Sequence, residues 1–249
     1  MKSIASLAVL GLLFLTTQSV SAGPIYDAAA DFSIATNPNG VWTYGYSLSL
    51  TPGAGLTLYT MSNNADGGNP NFIAWTANIA DSVPAVLKNI ASTTQMSFGT
   101  VSLLPGELAF HPGPSDQFSF VRFTAPQAGL YSIATTFTGR DVDGTTTDVH
   151  LLHDGTSLFA GEVTGFGSSS DVVVPSMLLN LAAGDTIDFA VGFGTDDNFF
   201  FDTTGLSARI TNVTPVVTPV PEPGMLILLV IGLVGVTGYR RGFPGPDRR

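Results

Sequence analysis

Apolar and polar residues alternate with a period of two along most of the chain between Asp31 and Asn212, and this alternation confines the chain to half-buried β-strands. Trp42, Tyr44, Tyr46, Leu48 and Leu50 fall on one strand face, while Thr43, Gly45, Ser47 and Ser49 fall on the other. The same pattern recurs at Phe118 to Phe123, at Tyr131, Ile133, Thr135 and Phe137, at Ile187, Phe189, Val191 and Phe193, and at Leu206, Ala208 and Ile210. Turn signals separate these runs: Pro52-Gly53, Asp66-Gly67-Gly68, Pro112-Gly113-Pro114, Asp143-Gly144, Asp154-Gly155 and Ala183-Gly184-Asp185. His153-Asp154-Gly155-Thr156 is the sharpest of them, since Asp-Gly accepts the positive φ angles of a two-residue hairpin turn. The stretch from Ile79 to Ser97 is the least regular and reads as a short helix or an edge strand. Short strands about ten residues apart, without a long amphipathic helix, predict an all-β fold: one antiparallel β-sandwich of jelly-roll type over residues 23–212. The absence of an internal repeat argues against a propeller or solenoid.

The surface of this sandwich is short of charge. Only 11% of the 249 residues are charged, against 44% hydrophobic, so Ser, Thr, Asn and Gly must supply much of the solvated face. What charge there is has one sign. Between Gly23 and Thr214 there are 17 acidic residues and four basic ones, a field that repels a phosphate backbone and excludes nucleic acid as a partner. The chain has no cysteine, which removes thiol nucleophiles, zinc–thiolate sites, iron–sulfur clusters and disulfides together.

The two ends have their own logic. Lys2 precedes an apolar run from Ile4 to Leu15, and Val20-Ser21-Ala22 offers the small residues that a signal peptidase reads. Residues 1–22 are therefore expected to be a secretory signal peptide, cut between Ala22 and Gly23. Residues 213–223, rich in proline and ending Pro-Val-Pro-Glu-Pro, read as a semi-rigid linker. Residues 224–239 are uncharged and apolar; at about 1.5 Å per residue they reach about 24 Å, short of a ~30 Å hydrocarbon core. Arg240 and Arg241 at their border, with none on the other flank, predict a single transmembrane helix in the lipid bilayer, residues 240–249 cytoplasmic and the acidic domain outside.

Pro221, Glu222 and Pro223, then the apolar helix, then Arg240-Arg241, occur in the order that resembles the PEP-CTERM sorting tail of Gram-negative bacteria, a tail family also labelled after ice-binding proteins. The resemblance implies that an exosortase-type enzyme of the inner membrane recognises Pro221, Glu222 and Pro223, that Arg240 and Arg241 act as the stop, and that the protein is released to the cell surface or matrix. The extra GFPGPDRR beyond the arginines departs from that pattern. Phe110-His111-Pro112-Gly113, VRFTAPQAGLYSI, TTDVHLLHDG, AAGDTIDFAVGFG and FDTTGL resemble a domain that recurs in exported PEP-CTERM proteins and is similar in outline to carbohydrate-binding jelly rolls. That resemblance carries no catalytic residue.

Within the domain, three constellations invite chemistry. His150 shares a strand face with Asp148, while His153 points the other way, so one metal ion cannot easily use both imidazoles. Asp141, Asp143 and Asp148, or Asp196, Asp197 and Asp202 around Asn198, are candidate oxygen ligands for calcium, although the same residue types build Asx turns and neither set has EF-hand spacing. Trp42, Trp75 and Phe200 are candidate platforms for a sugar ring, because three consecutive phenylalanines at 199–201 cannot all face a core. There is no G-x-S-x-G and no phosphate loop. The expectation is a non-enzymatic exported surface or matrix protein; the alternative is a carbohydrate-binding module for exopolysaccharide, with calcium as the one cofactor in view.

Overall fold

The computed structural model describes residues 23–78 and 82–213. Their extended runs form β1 (Ile25–Asp27), β2 (Trp42–Ser47), β3 (Thr57–Leu58), β4 (Met61–Asn63), β5 (Phe72–Thr76), β6 (Ala85–Asn89), β7 (Gln95–Ser97) and β8 (Val101–Leu103). The second half forms β9 (Leu108–His111), β10 (Phe118–Thr124), β11 (Gly129–Gly139), β12 (Thr145–His153), β13 (Thr156–Gly165), β14 (Val172–Leu181), β15 (Thr186–Val191) and β16 (Thr204–Asn212). The helical turns among the described residues are the short 3-10 segments Asp66–Gly68 and Gly167–Ser170, and none of them is long and apolar enough to cross a membrane.

β9 to β16 build the frame. One sheet orders them β14-β11-β16-β9, the other β13-β12-β15-β10, and all of these pairings are antiparallel. Every connection from β9 to β16 crosses between the sheets except the β12–β13 hairpin, which is the jelly-roll arrangement. Earlier strands widen the frame: β6, β5 and β4 extend the first sheet beyond β9, while β2 and β3 extend the second beyond β10. β1 lies along the β16 edge that β9 also uses, Ile25 to Asp27 facing Thr211 to Arg209.

Alternation decides what each face does. On β10, Val121 and Phe123 turn into the space between the sheets; on β15, Ile187, Phe189 and Val191 do the same, and from the opposite sheet come Tyr131, Ile133 and Phe137 of β11. Phe110 of β9 and Phe137 of β11, on the same sheet, stack within this core with ring centres 6.1 Å apart. The outer faces are also covered. Phe72, Ala74, Leu87 and Ala109 of the larger sheet pack under Val101 and Leu103 of the β7–β8 hairpin, and Phe120, Leu152 and Ala190 of the other pack under Leu50 and Leu56.

The β12–β13 turn is as expected: His153 pairs with Thr156, with Asp154 at φ 48° and Gly155 at φ 76°. Three details differ from the sequence pattern. β2 ends at Ser47, so Leu48 is exposed and Leu50 caps the outer face of the sheet instead of joining the inner one. Between Ile79 and Ser97, β6 is an interior strand between β5 and β9, the edge strand is β7, paired on one side by β8, and no helix occurs among the described residues; residues 79–81 lie outside them. Trp42 and Trp75 are core residues, 1% and 6% exposed, so neither can serve as a sugar platform. The cause is that each indole found both an apolar wall and a hydrogen-bond acceptor: Nε1 of Trp42 donates to Asp31 Oδ2 at 3.0 Å, and Nε1 of Trp75 to the Ser33 carbonyl at 2.8 Å. The expected signal peptide with Ala22, and the linker, helix and tail carrying Pro221, Glu222, Pro223, Arg240 and Arg241, lie outside the described residues.

Candidate functional site

A cleft of about 290 Å³ opens on the outer side of the larger sheet, between the β7–β8 hairpin, the ends of β6 and β9, and the loop joining β15 to β16. Aromatic rings dominate it. Phe98, Phe200 and Phe201 line it while 48%, 62% and 44% exposed, and Phe199 stacks on Phe200 with centres 4.5 Å apart. Large apolar side chains held in water at one place cost stability and mark an interaction surface.

The backbone beneath these rings is strained. Ser82, Phe98 and Phe201 have φ of 55°, 53° and 65°, and all three line this cleft; among the described residues only three other non-glycine residues take positive φ. Such conformations cost on the order of 1–3 kcal/mol each and persist where surrounding structure enforces them, commonly at functional sites. The enforcement is visible. Asn198 Oδ1 accepts the Phe200 amide at 2.9 Å, Asn198 Nδ2 donates to Asp196 Oδ2 at 2.7 Å, and Thr146 Oγ1 donates to the same oxygen at 3.0 Å. Asp141 ties the two walls together, its Oδ1 accepting from Thr100 Oγ1 at 2.6 Å and its Oδ2 from the Thr203 amide at 2.7 Å.

Polar groups are left over in the floor. Thr203 is 1% exposed and lines the cleft, and its Oγ1 is sealed from solvent without a hydrogen-bond partner. His111 donates Nδ1–H to the Pro112 carbonyl at 2.8 Å, which leaves Nε2 as an acceptor; burial holds this imidazole below its ordinary pKa and therefore neutral. Apolar rings beside the Nε2 acceptor of His111 form a combination that suits a ligand with one apolar and one polar edge.

The two acidic loops do come together at this end, but as struts. Asp148 Oδ1 accepts from the Gly194 amide at 2.9 Å and its Oδ2 lies 2.7 Å from His150 Nε2. Burial alone would raise the Asp148 carboxyl; those hydrogen bonds and the neighbouring imidazole outweigh it and hold it below the usual range. Asp202 is fully buried, with Oδ1 near the Thr146 amide at 3.3 Å and Oδ2 unpartnered. Asp143, Asp196 and Asp197 are exposed. No three of these carboxylates bring an oxygen each within 4.8 Å of one another among the described residues, so the expected calcium constellation does not assemble. The two histidines part as their strand positions require: His150 serves Asp148, and His153 faces Asp154 and Asp185.

Sequence reasoning found the Phe199–Phe201 run, and Asp141 in another role, but missed the other cleft residues. Phe98, His111 and Thr203 are far apart in the chain, and only the fold brings them together; a phenylalanine directly before Gly99 in a turn was the one local hint.

No curated protein matches the chain. Among solved structures it is similar to CBM51 from Clostridium perfringens GH95 in complex with methyl-galactose, at 15% identity over 50% of this chain and 86% of that one, with a TM-score of 0.32. It is also similar to CBM35 from Paenibacillus barcinonensis, at 12% identity over 76% and 98% of the two chains and a TM-score of 0.27, and to pika GITRL, at 21% over 39% and 73% and a TM-score of 0.23. The family of the PEP-CTERM protein-sorting motif matches residues 219–241, a span that contains Pro221, Glu222, Pro223, Arg240 and Arg241. This chain thus carries a PEP-CTERM sorting tail, the mark of an exported protein sorted by way of a membrane.

Proposed function

We propose that the protein is a non-catalytic module of the cell surface or extracellular matrix, and that its Phe199–Phe201 cleft holds a saccharide unit of exopolysaccharide. In this reading a signal peptidase removes residues 1–22, the helix at 224–239 anchors the domain outside the inner membrane, and an exosortase-type enzyme acts on the tail. The observation that carries the binding half is the gathering of the exposed rings of Phe98, Phe200 and Phe201 in one cleft that His111 also lines. A pyranose has one face of C–H bonds that stacks on aromatic rings and an equatorial belt of hydroxyls that meets buried polar atoms. Support for the absence of catalysis comes from the two carboxyls that line the cleft: both Asp141 oxygens are occupied by structural donors, and Asp66, raised by burial, is 1% exposed and accepts from Asn63 Nδ2 at 3.1 Å.

The test is a glycan array and affinity electrophoresis in exopolysaccharide with the wild-type chain, Phe200→Ala and Thr203→Val. Retention by wild type, weakened at least about tenfold in Phe200→Ala with an unchanged melting temperature, is the expected result, since loss of one stacked ring is worth roughly 1.5 kcal/mol. Equal retention by all three chains, or none by wild type, overturns the saccharide assignment. Release of reducing sugar from any retained glycan overturns the non-catalytic one.

A further inference from the structure

At the turn of the β12–β13 hairpin, His153 and Asp154 face Asp185 from the turn that leads into β15. His153 Nε2 lies 3.5 Å from Asp154 Oδ2 and 3.4 Å from Asp185 Oδ2, and the three ligand atoms all fall within 4.8 Å of one another. Those separations are long for hydrogen bonds, which centre at about 2.9 Å. The two separations from Nε2 match the edge of a tetrahedron, about 3.4 Å, drawn around an ion with bonds of about 2.0–2.1 Å to nitrogen and oxygen.

We propose that His153, Asp154 and Asp185 form a binding site for one zinc-class divalent ion, with a fourth coordination position open to water. The donor set selects the ion. Calcium seeks about six to eight oxygens, whereas an imidazole nitrogen with two carboxylates and a free position suits zinc. The ligands are also oriented from behind: Asp154 Oδ1 accepts from the Thr186 amide at 2.8 Å and from Thr186 Oγ1 at 3.1 Å, which turns Oδ2 toward His153, and Asp185 Oδ2 is fixed by the Ala182 amide at 2.8 Å. The site joins turns more than 30 residues apart in the chain, and the surplus of acidic side chains in the domain favours a cation there. It stands apart from the Phe199–Phe201 cleft, which shares none of its residues, so either assignment can fail alone.

Calorimetric titration of the untagged, metal-stripped full chain with Zn²⁺ is the measurement. One ion per chain, with a rise in melting temperature that EDTA reverses and that Ca²⁺ at the same concentration does not produce, is expected. His153→Ala and Asp185→Asn should each weaken the affinity about tenfold or more while leaving the metal-free melting temperature close to wild type. His150→Ala, at the other histidine–carboxylate pair, should bind as wild type does. Binding weaker than about 100 μM, or equal affinity in Asp185→Asn and wild type, overturns the site.

Discussion

Asp202 illustrates how an environment rewrites a residue whose type the sequence displays plainly. Burial pushes its carboxyl up to about 8; the amide of Thr146 opposes this weakly, and the charges of Asp196, Asp141 and Asp148 add to it. Because the folded state keeps a proton that the unfolded state releases, the stability held below the ordinary carboxylate range declines as pH rises from about 4 toward 8. Asp202→Asn keeps the Oδ1 acceptor and removes that dependence. A calorimetric pH series should show the variant melting at least about 3 °C higher than wild type at pH 8 and nearly level with it at pH 4; parallel curves would count against this account. The sequence showed Asp202 in an acid-rich loop, but the alternation of a loop is not periodic, so its burial was invisible. Phe200 was legible as a misfit, since three adjacent phenylalanines cannot share one face. The burial of Trp42 and Trp75 was less so: both indoles face the core between the sheets, and period two marks a shared face without saying which face is the inward one.

At the level of strands, faces were readable and neighbours were not. The alternation located β2, β10, β11, β15 and β16, and Asp154-Gly155 marked a two-residue hairpin turn. Nothing local revealed that β6 would be interior or that the β7–β8 hairpin would cover the larger sheet, since both depend on pairing with β9 and packing on β5. The crossing of the two sheets is equally non-local, and it leaves little room. A methyl group on Gly139, at the end of β11, would collide with the Gly165 carbonyl at the end of β13 and press on Thr145. The backbone cannot yield there, because Gly139 is also paired with Thr204. Gly139→Ala should therefore cost about 1–3 kcal/mol, a fall in melting temperature of roughly 2–12 °C, measured by thermal denaturation; an unchanged midpoint would show that the crossing is looser than its geometry.

For the whole molecule, composition spoke first: an anionic, cysteine-free body with a basic extreme end. The sorting motif at 219–241 makes the end an address, and deletion of residues 224–249 should move the protein from the membrane fraction to the soluble exported fraction on cell fractionation. An unchanged membrane fraction would place the attachment elsewhere. The tail departs from β16, and that strand is hemmed in along both edges, by β11 on one side and by β9 and β1 on the other. Gly23 and Asn212 are further joined through the Gly23 amide and the Asn212 carbonyl at 3.0 Å. Ladder hydrogen bonds run across the strands, so a pull transmitted up the tether would act lengthwise on β16 and load both of its ladders together in shear, with no outermost pair to peel first. A domain held to a moving surface by that strand would resist being dragged open mechanically, whatever it grips at its other end.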